Sequence, residues 1–139
     1  MILTTCAACA APLAHNAPRC VRCKLRYGET LLAANNYAGS LNDLEHFEEA
    51  RSLMLKTMPV ARRVLGEHHE FTLGMRRNYA QWLYLDSGAS LDDLCEAITT
   101  LEDIERISRR VLGGSHPVTT EVENDLQKAQ DALYARGLP

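Results

Sequence analysis

Five residues, Arg62-Arg63-Val64-Leu65-Gly66, return unchanged as Arg109-Arg110-Val111-Leu112-Gly113. From Arg62 to Arg109 the offset is 47 residues, and the correspondence extends both ways. Upstream, Leu44, Phe47, Glu49 and Ala50 map onto Leu91, Leu94, Glu96 and Ala97; downstream, His69 and Thr72 map onto His116 and Thr119. A second register, 42 residues from Thr30 to Thr72, aligns Leu31, Asn36, Tyr37, Ala38 and Leu41 with Leu73, Asn78, Tyr79, Ala80 and Leu83. The registers differ by five residues, so the second copy carries an insertion between about Leu83 and Leu91. Self-similarity at such a period marks a stacked helical repeat, because one short unit buries its apolar face only against a neighbour.

The pattern within each copy agrees. Leu94, Ala97, Leu101, Ile104, Ser108 and Val111 step by three and four, as do Phe47, Ala50, Met54, Thr57, Ala61 and Val64, so each set falls on one helix face. Gly66 and the Gly113-Gly114 pair stop these helices after arginine-bearing last turns that suit the helix dipole. Pro117 sits where a first helical turn tolerates proline, whereas Pro59 falls inside a helix and removes one ladder bond. The expected architecture is all-α, in antiparallel helix pairs. Its five helices fall at about 29–42, 45–65, 69–86, 91–112 and 117–135. The repeat units are 29–66 and 67–113, with a partial third at 114–135, in a body of residues 29–139. The partial repeat supplies a final helix whose polar side, Glu121, Glu123, Asp125, Gln127 and Lys128, caps the array; the alternative is a homodimer through that helix.

Residues 1–28 differ in kind. They hold Arg19, Arg22, Lys24 and Arg26 and no acidic residue, leaving 11 basic against 18 acidic residues in the rest of a chain whose net charge is −3. Two pairs, Cys6-x-x-Cys9 and Cys20-x-x-Cys23, flank a turn-rich loop with Pro12, Asn16 and Pro18. An x-x spacing lets two sulfurs of one turn meet the same ion, and four thiolates complete a tetrahedral structural zinc site with no open position for catalysis. Metal binding then replaces core burial in a segment this small. No apolar run approaches the ~18 residues that span a bilayer, and the opening segment lacks the positive start of a signal peptide. A cytoplasmic or nuclear setting is expected, where paired cysteines read as metal ligands.

The segments Cys6-Ala-Ala-Cys9 and Pro18-Arg19-Cys20-Val21-Arg22-Cys23-Lys24 with Tyr27 resemble the first half of a MYND-type zinc finger. The family's later ligands are absent here: Gly28 follows Tyr27 where a cysteine would stand. Since that family interleaves its two zincs, the resemblance implies two half-sites. Either Cys6, Cys9, Cys20 and Cys23 close on one zinc or the finger is a truncated remnant.

The body resembles the tetratricopeptide repeats of kinesin light chains over residues 29–135. The likeness rests on Arg63-Val64-Leu65-Gly66-Glu67-His68-His69-Glu70-Phe71-Thr72-Leu73 and Arg110-Val111-Leu112-Gly113-Gly114-Ser115-His116-Pro117-Val118-Thr119-Thr120. That resemblance implies a concave groove lined by the first helix of each pair, in which asparagines hold an extended peptide. The matching positions are Asn36 and Asn78, with Asp125 in the third copy and Asn35 beside the first. An amide offers a donor and an acceptor, which is what a peptide unit needs; the same asparagines could equally serve hydrogen bonds within and between helices. Tyr37, Tyr79 and Trp82 read as packing residues, and Cys95, off the apolar stripe, as a free thiol.

No catalytic constellation is apparent. His68-His69 between Glu67 and Glu70 lacks the spacing of a zinc-protease helix, and no glycine-rich phosphate loop is present. The function expected is therefore non-enzymatic: a protein-interaction adaptor with a zinc-stapled head and a peptide-binding groove. Nucleic-acid binding through the basic head is the alternative class, and would show affinity falling steeply with salt. The acidic body and the lack of stacking aromatics near the cysteines argue against it. A fragment of a larger repeat protein is the third.

Overall fold

A computed structural model describes residues 21–137, with side chains from Gly28 onward. All regular structure among them is helical: α1 (Val21–Asp43), α2 (Phe47–Val64), α3 (Glu70–Leu85), α4 (Leu91–Val111) and α5 (Pro117–Tyr134). The expected start of the first helix near residue 29 is corrected: α1 begins eight residues earlier, at Val21. Proline-free sequence runs unbroken from Arg19 to Met58, so nothing local stops helix propagation before Glu29.

The chain divides into two compact units, one ending at Gly66 and the other beginning at Glu67. In the first, α1 and α2 pack as a hairpin across a three-residue connection. Its core is Leu31, Ala38, Leu41, Ala50, Met54, Met58, Ala61 and Val64. The turn is closed by the His46 N–H donating to the Leu41 carbonyl at 2.8 Å, with Glu45 left-handed at φ 62° where glycine is usual. α2 runs on through Pro59, and Thr57 turns its hydroxyl back to the Leu53 carbonyl at 2.8 Å. Phe47, expected on the buried stripe, is 41% exposed, and Met58 takes a core place instead. Tyr37, expected to pack between helices, is 59% exposed.

In the second unit α3 packs on α4, α4 on α5, and α3 also on α5. Leu73, Met75, Tyr79, Ala80, Leu83, Leu94, Ala97, Leu101, Ile104, Ile107, Val122 and Ala129 form its apolar interior. Val111, expected on the α4 stripe, is exposed, and Ile107 fills that side of the helix. Trp82 is half-buried. Gly66 and Gly113 take φ of 104° and 97°, a conformation that ends a helix without the steric cost of a side chain. The inserted residues form the α3–α4 connection, where the Asp86 carboxylate accepts from the Gly88 N–H at 2.9 Å and Ala89 is buried. α4 then starts in a reciprocal cap: Ser90 Oγ accepts from the Asp93 N–H at 3.1 Å and the Asp93 carboxylate from the Ser90 N–H at 3.0 Å.

α5 repeats α3 in place but not in chemistry. At the 47-residue offset, the buried Ala80, Leu83 and Tyr84 of α3 become Gln127, Gln130 and Asp131. Gln127 donates to Asp131 at 3.0 Å on the helix's own surface. A helix so built closes an apolar stack on one side and meets water on the other.

Candidate functional site

Two helices of the second unit, α3 and α5, pack on each other and carry two of the polar residues singled out for a groove, Asn78 and Asp125. Asp125, on α5, is 2% exposed. Its carboxylate accepts from Arg77 Nε at 2.6 Å and from the Tyr84 hydroxyl at 2.8 Å, so both oxygens are held by α3. Arg77 reaches a second acid through Nη1, donating to Glu121 at 2.6 Å. Burial and the Asp125 carboxylate together push the Tyr84 hydroxyl well above the usual tyrosine range, keeping it a donor. A peptide reaching Asp125 must therefore displace Arg77 or Tyr84, because a carboxylate engaged on both oxygens has little left to offer.

Asn78, next to Arg77 on α3, is half-buried and already has a partner within the chain. On α1, Asn35 is likewise half-buried and partnered. Asn36 is exposed, with its backbone carbonyl accepting from the Ser40 hydroxyl at 3.1 Å. Asn78 and Asp125 thus stand on two packed helices of one unit, while Asn36 and Asn35 belong to the other unit. Sequence reasoning missed Arg77 and Tyr84. The available signal was chemical: an aspartate at a position occupied by asparagine in the other copies, in a chain with two adjacent arginines one helix away.

A second polar cluster joins α3 to α4. Arg76 is 7% exposed and donates through Nη2 to Asp103 at 2.7 Å, while Arg106 holds the other oxygen of that carboxylate. The Arg76 guanidinium, ahead of Arg106, keeps the Asp103 carboxyl below the usual aspartate value of 3.8. Arg76 Nε is buried without an acceptor among the described residues. These residues line a shallow cavity with Thr99, Thr100, Glu102 and Glu105. Farther along α4, Arg109 bridges Glu105, at 2.8 Å, and Glu123 of α5. Tyr79 donates its hydroxyl to Glu96 at 3.1 Å and is buried, as a packing residue should be.

Of the proposed zinc ligands, Cys6, Cys9 and Cys20 lie outside the described residues. Position 23 falls in the first turn of α1, and the Cys23 side chain also lies outside the description. Cys95 is an exposed free thiol. Between Glu67 and Glu70, His69 serves the backbone as the N-cap of α3, its Nδ1 accepting from the Phe71 N–H at 3.1 Å. Among the described residues no group of three His, Cys, Asp or Glu side chains could hold a metal ion. Among the same residues no helix is long and apolar enough to cross a membrane.

Compared with known families, residues 30–70 match the tetratricopeptide repeat. That span covers most of α1, all of α2 and the first residue of α3, so the match falls on the helix pair of the first unit. No curated protein and no solved structure matches the chain.

Proposed function

We propose that the chain is a non-enzymatic adaptor that captures a protein or peptide partner on its tetratricopeptide-type helices. The observation that carries this reading is the helix pair matching that repeat at residues 30–70, followed by α3, α4 and α5 with equivalent residues at repeat spacing. Repeats of this kind commonly serve protein–protein contact, and the motif Val-Leu-Gly followed by His and Thr favours the kinesin-light-chain type. Asn36 and Asn78 hold the partner's backbone amides, and Arg77, Tyr84 and Asp125 fix the helices that present Asn78. α5 acts as a capping helix, not as a dimer face, because Gln127, Gln130 and Asp131 stand where an apolar contact would be needed.

The head contributes a structural zinc held by Cys6, Cys9, Cys20 and Cys23, a proposal that rests on the paired x-x spacing alone. Nothing in that reading calls for nucleic acid.

Two experiments test these parts separately. Peptides selected on an array with the intact chain are titrated against the Asn36→Ala, Asn78→Ala double variant, with helicity followed by circular dichroism. Weakening of about tenfold or more at unchanged helicity supports the groove, since two lost amide contacts at about 1 kcal/mol each predict that scale; unchanged affinity overturns it. Native against denaturing mass spectrometry then counts zinc. One ion per chain, lost in Cys20→Ser, Cys23→Ser, supports the zinc head, and a metal-free chain removes it.

A further inference from the structure

Among the described residues, three helices begin at a histidine, His46 for α2, His69 for α3 and His116 for α5. They do not use the imidazole alike. His69 and His116 occupy the same place at the 47-residue offset and have nearly the same backbone, φ −66°, ψ 136° and φ −67°, ψ 138°. In each, Nδ1 accepts from the backbone N–H two residues on, Phe71 at 3.1 Å and Val118 at 3.2 Å. His46 makes no such cap; its Nδ1 stands 3.4 Å from the Glu49 carboxylate.

An imidazole that accepts at Nδ1 must carry its proton on Nε2 and be neutral, because the imidazolium has two donors and no acceptor. Protonation turns the Phe71 and Val118 contacts from hydrogen bonds into donor facing donor. It also places a positive charge at the positive end of the helix dipole. Among the described residues no compensating acid stands at either ring: neither His69 nor His116 has a carboxylate within ion-pair distance. Beside His69 in sequence are Glu67, His68 and Glu70. The arginines that α3 contributes are committed elsewhere, Arg76 to Asp103 and Arg77 to Glu121 and Asp125. Near His116, the Arg109 guanidinium of α4 comes against the turn at Gly114, and Glu105 and Glu123 are engaged by that arginine.

We propose that His69 and His116 form a matched acid-sensitive switch. At neutral pH both imidazoles close the starts of α3 and α5. When both imidazoles are protonated, both helices open at their first turns, because neither ring can then accept from the Phe71 or Val118 N–H, while the start of α4, capped by Ser90, stays closed.

The test is amide hydrogen exchange on the full chain, read as protection factors at pH 7.5 and pH 5. The expected result is a loss of protection of about fivefold at Phe71 and Val118, the factor that removal of one cap corresponds to, with none at Asp93, whose N–H is capped by Ser90. The variant His69→Asn, His116→Asn keeps a good cap that does not titrate, and should hold its protection at both positions across the same range. Equal protection at the two pH values, an equal loss at Asp93, or the same pH dependence in the asparagine variant would each overturn the proposal.

Discussion

The two units fill their interiors with different residues. The α1–α2 hairpin has a core of small residues and methionines, with Ala38, Ala50, Met54 and Ala61 at or below 1% exposure. The α3–α4–α5 unit has an interior richer in leucine and isoleucine, and among the described residues its helices are joined by Arg76 to Asp103, Arg77 to Asp125 and Glu121, and Arg109 to Glu123. A two-helix hairpin needs one matched surface. In a three-helix unit α3 must satisfy both α4 and α5, and directional bonds fix its rotation where apolar contact alone leaves it free to slide. Repeat-equivalent helices are therefore not energetically equivalent.

That contrast can be broken at several depths. Leu101→Ala empties a fully buried site in α4 and should cost about 3 kcal/mol; a urea melt followed by circular dichroism measures it. Asp125→Ala leaves the Tyr84 hydroxyl and Arg77 without their shared acceptor. The expected loss is about 2–3 kcal/mol, confined to the second unit; hydrogen exchange should show α1 and α2 unaffected. Ser90→Ala removes one half of the α4 capping box and should cost about 1 kcal/mol in the same melt.

Acid should separate the units too. Asp103 has its folded pKa held below its ordinary 3.8, mainly by Arg76. Its contribution is present above pH 3.8 and is lost as pH falls through the lower folded value. An Asp103→Asn variant should flatten that part of an acid titration. The smallest effect has the opposite sign. Gly74 lies inside α3, and a Cβ there would meet nothing within 4 Å. Gly74→Ala should therefore raise stability by about 0.5–1 kcal/mol, read as a higher melting temperature; a loss instead would mean that the backbone there must stay bare.

Much of the fold is legible in the chain. The repeated Arg-Arg-Val-Leu-Gly marks two helix ends, and both glycines take the positive φ that such ends need. The three-and-four stepping of Leu94, Ala97, Leu101 and Ile104 places a buried face because period 3.6 leaves no other way to gather those residues. The helix ends are less legible. α1 starts at Val21, three residues after Pro18, a proline that marks how far back the helix can run and that periodicity alone does not weigh. Tyr37 and Val111 are exposed against expectation because periodicity names a face but not how wide the neighbour covering it is.

The candidate site is legible only as positions. Asn36, Asn78 and Asp125 follow from the repeat offset, and so does the equivalence of His69 and His116, though not their capping of α3 and α5. What each does at that place depends on atoms from distant segments. Asp125 is engaged by residues 48 and 41 positions away in sequence, Arg77 and Tyr84, and no local pattern records such a meeting. That this chain forms paired helices at a period near 42–47 residues follows from its residues alone, because burial periodicity and glycine stops are local properties. Which polar residues become ties between helices is settled in three dimensions, because a charge buried between two helices persists only where the other helix brings its partner within hydrogen-bond reach.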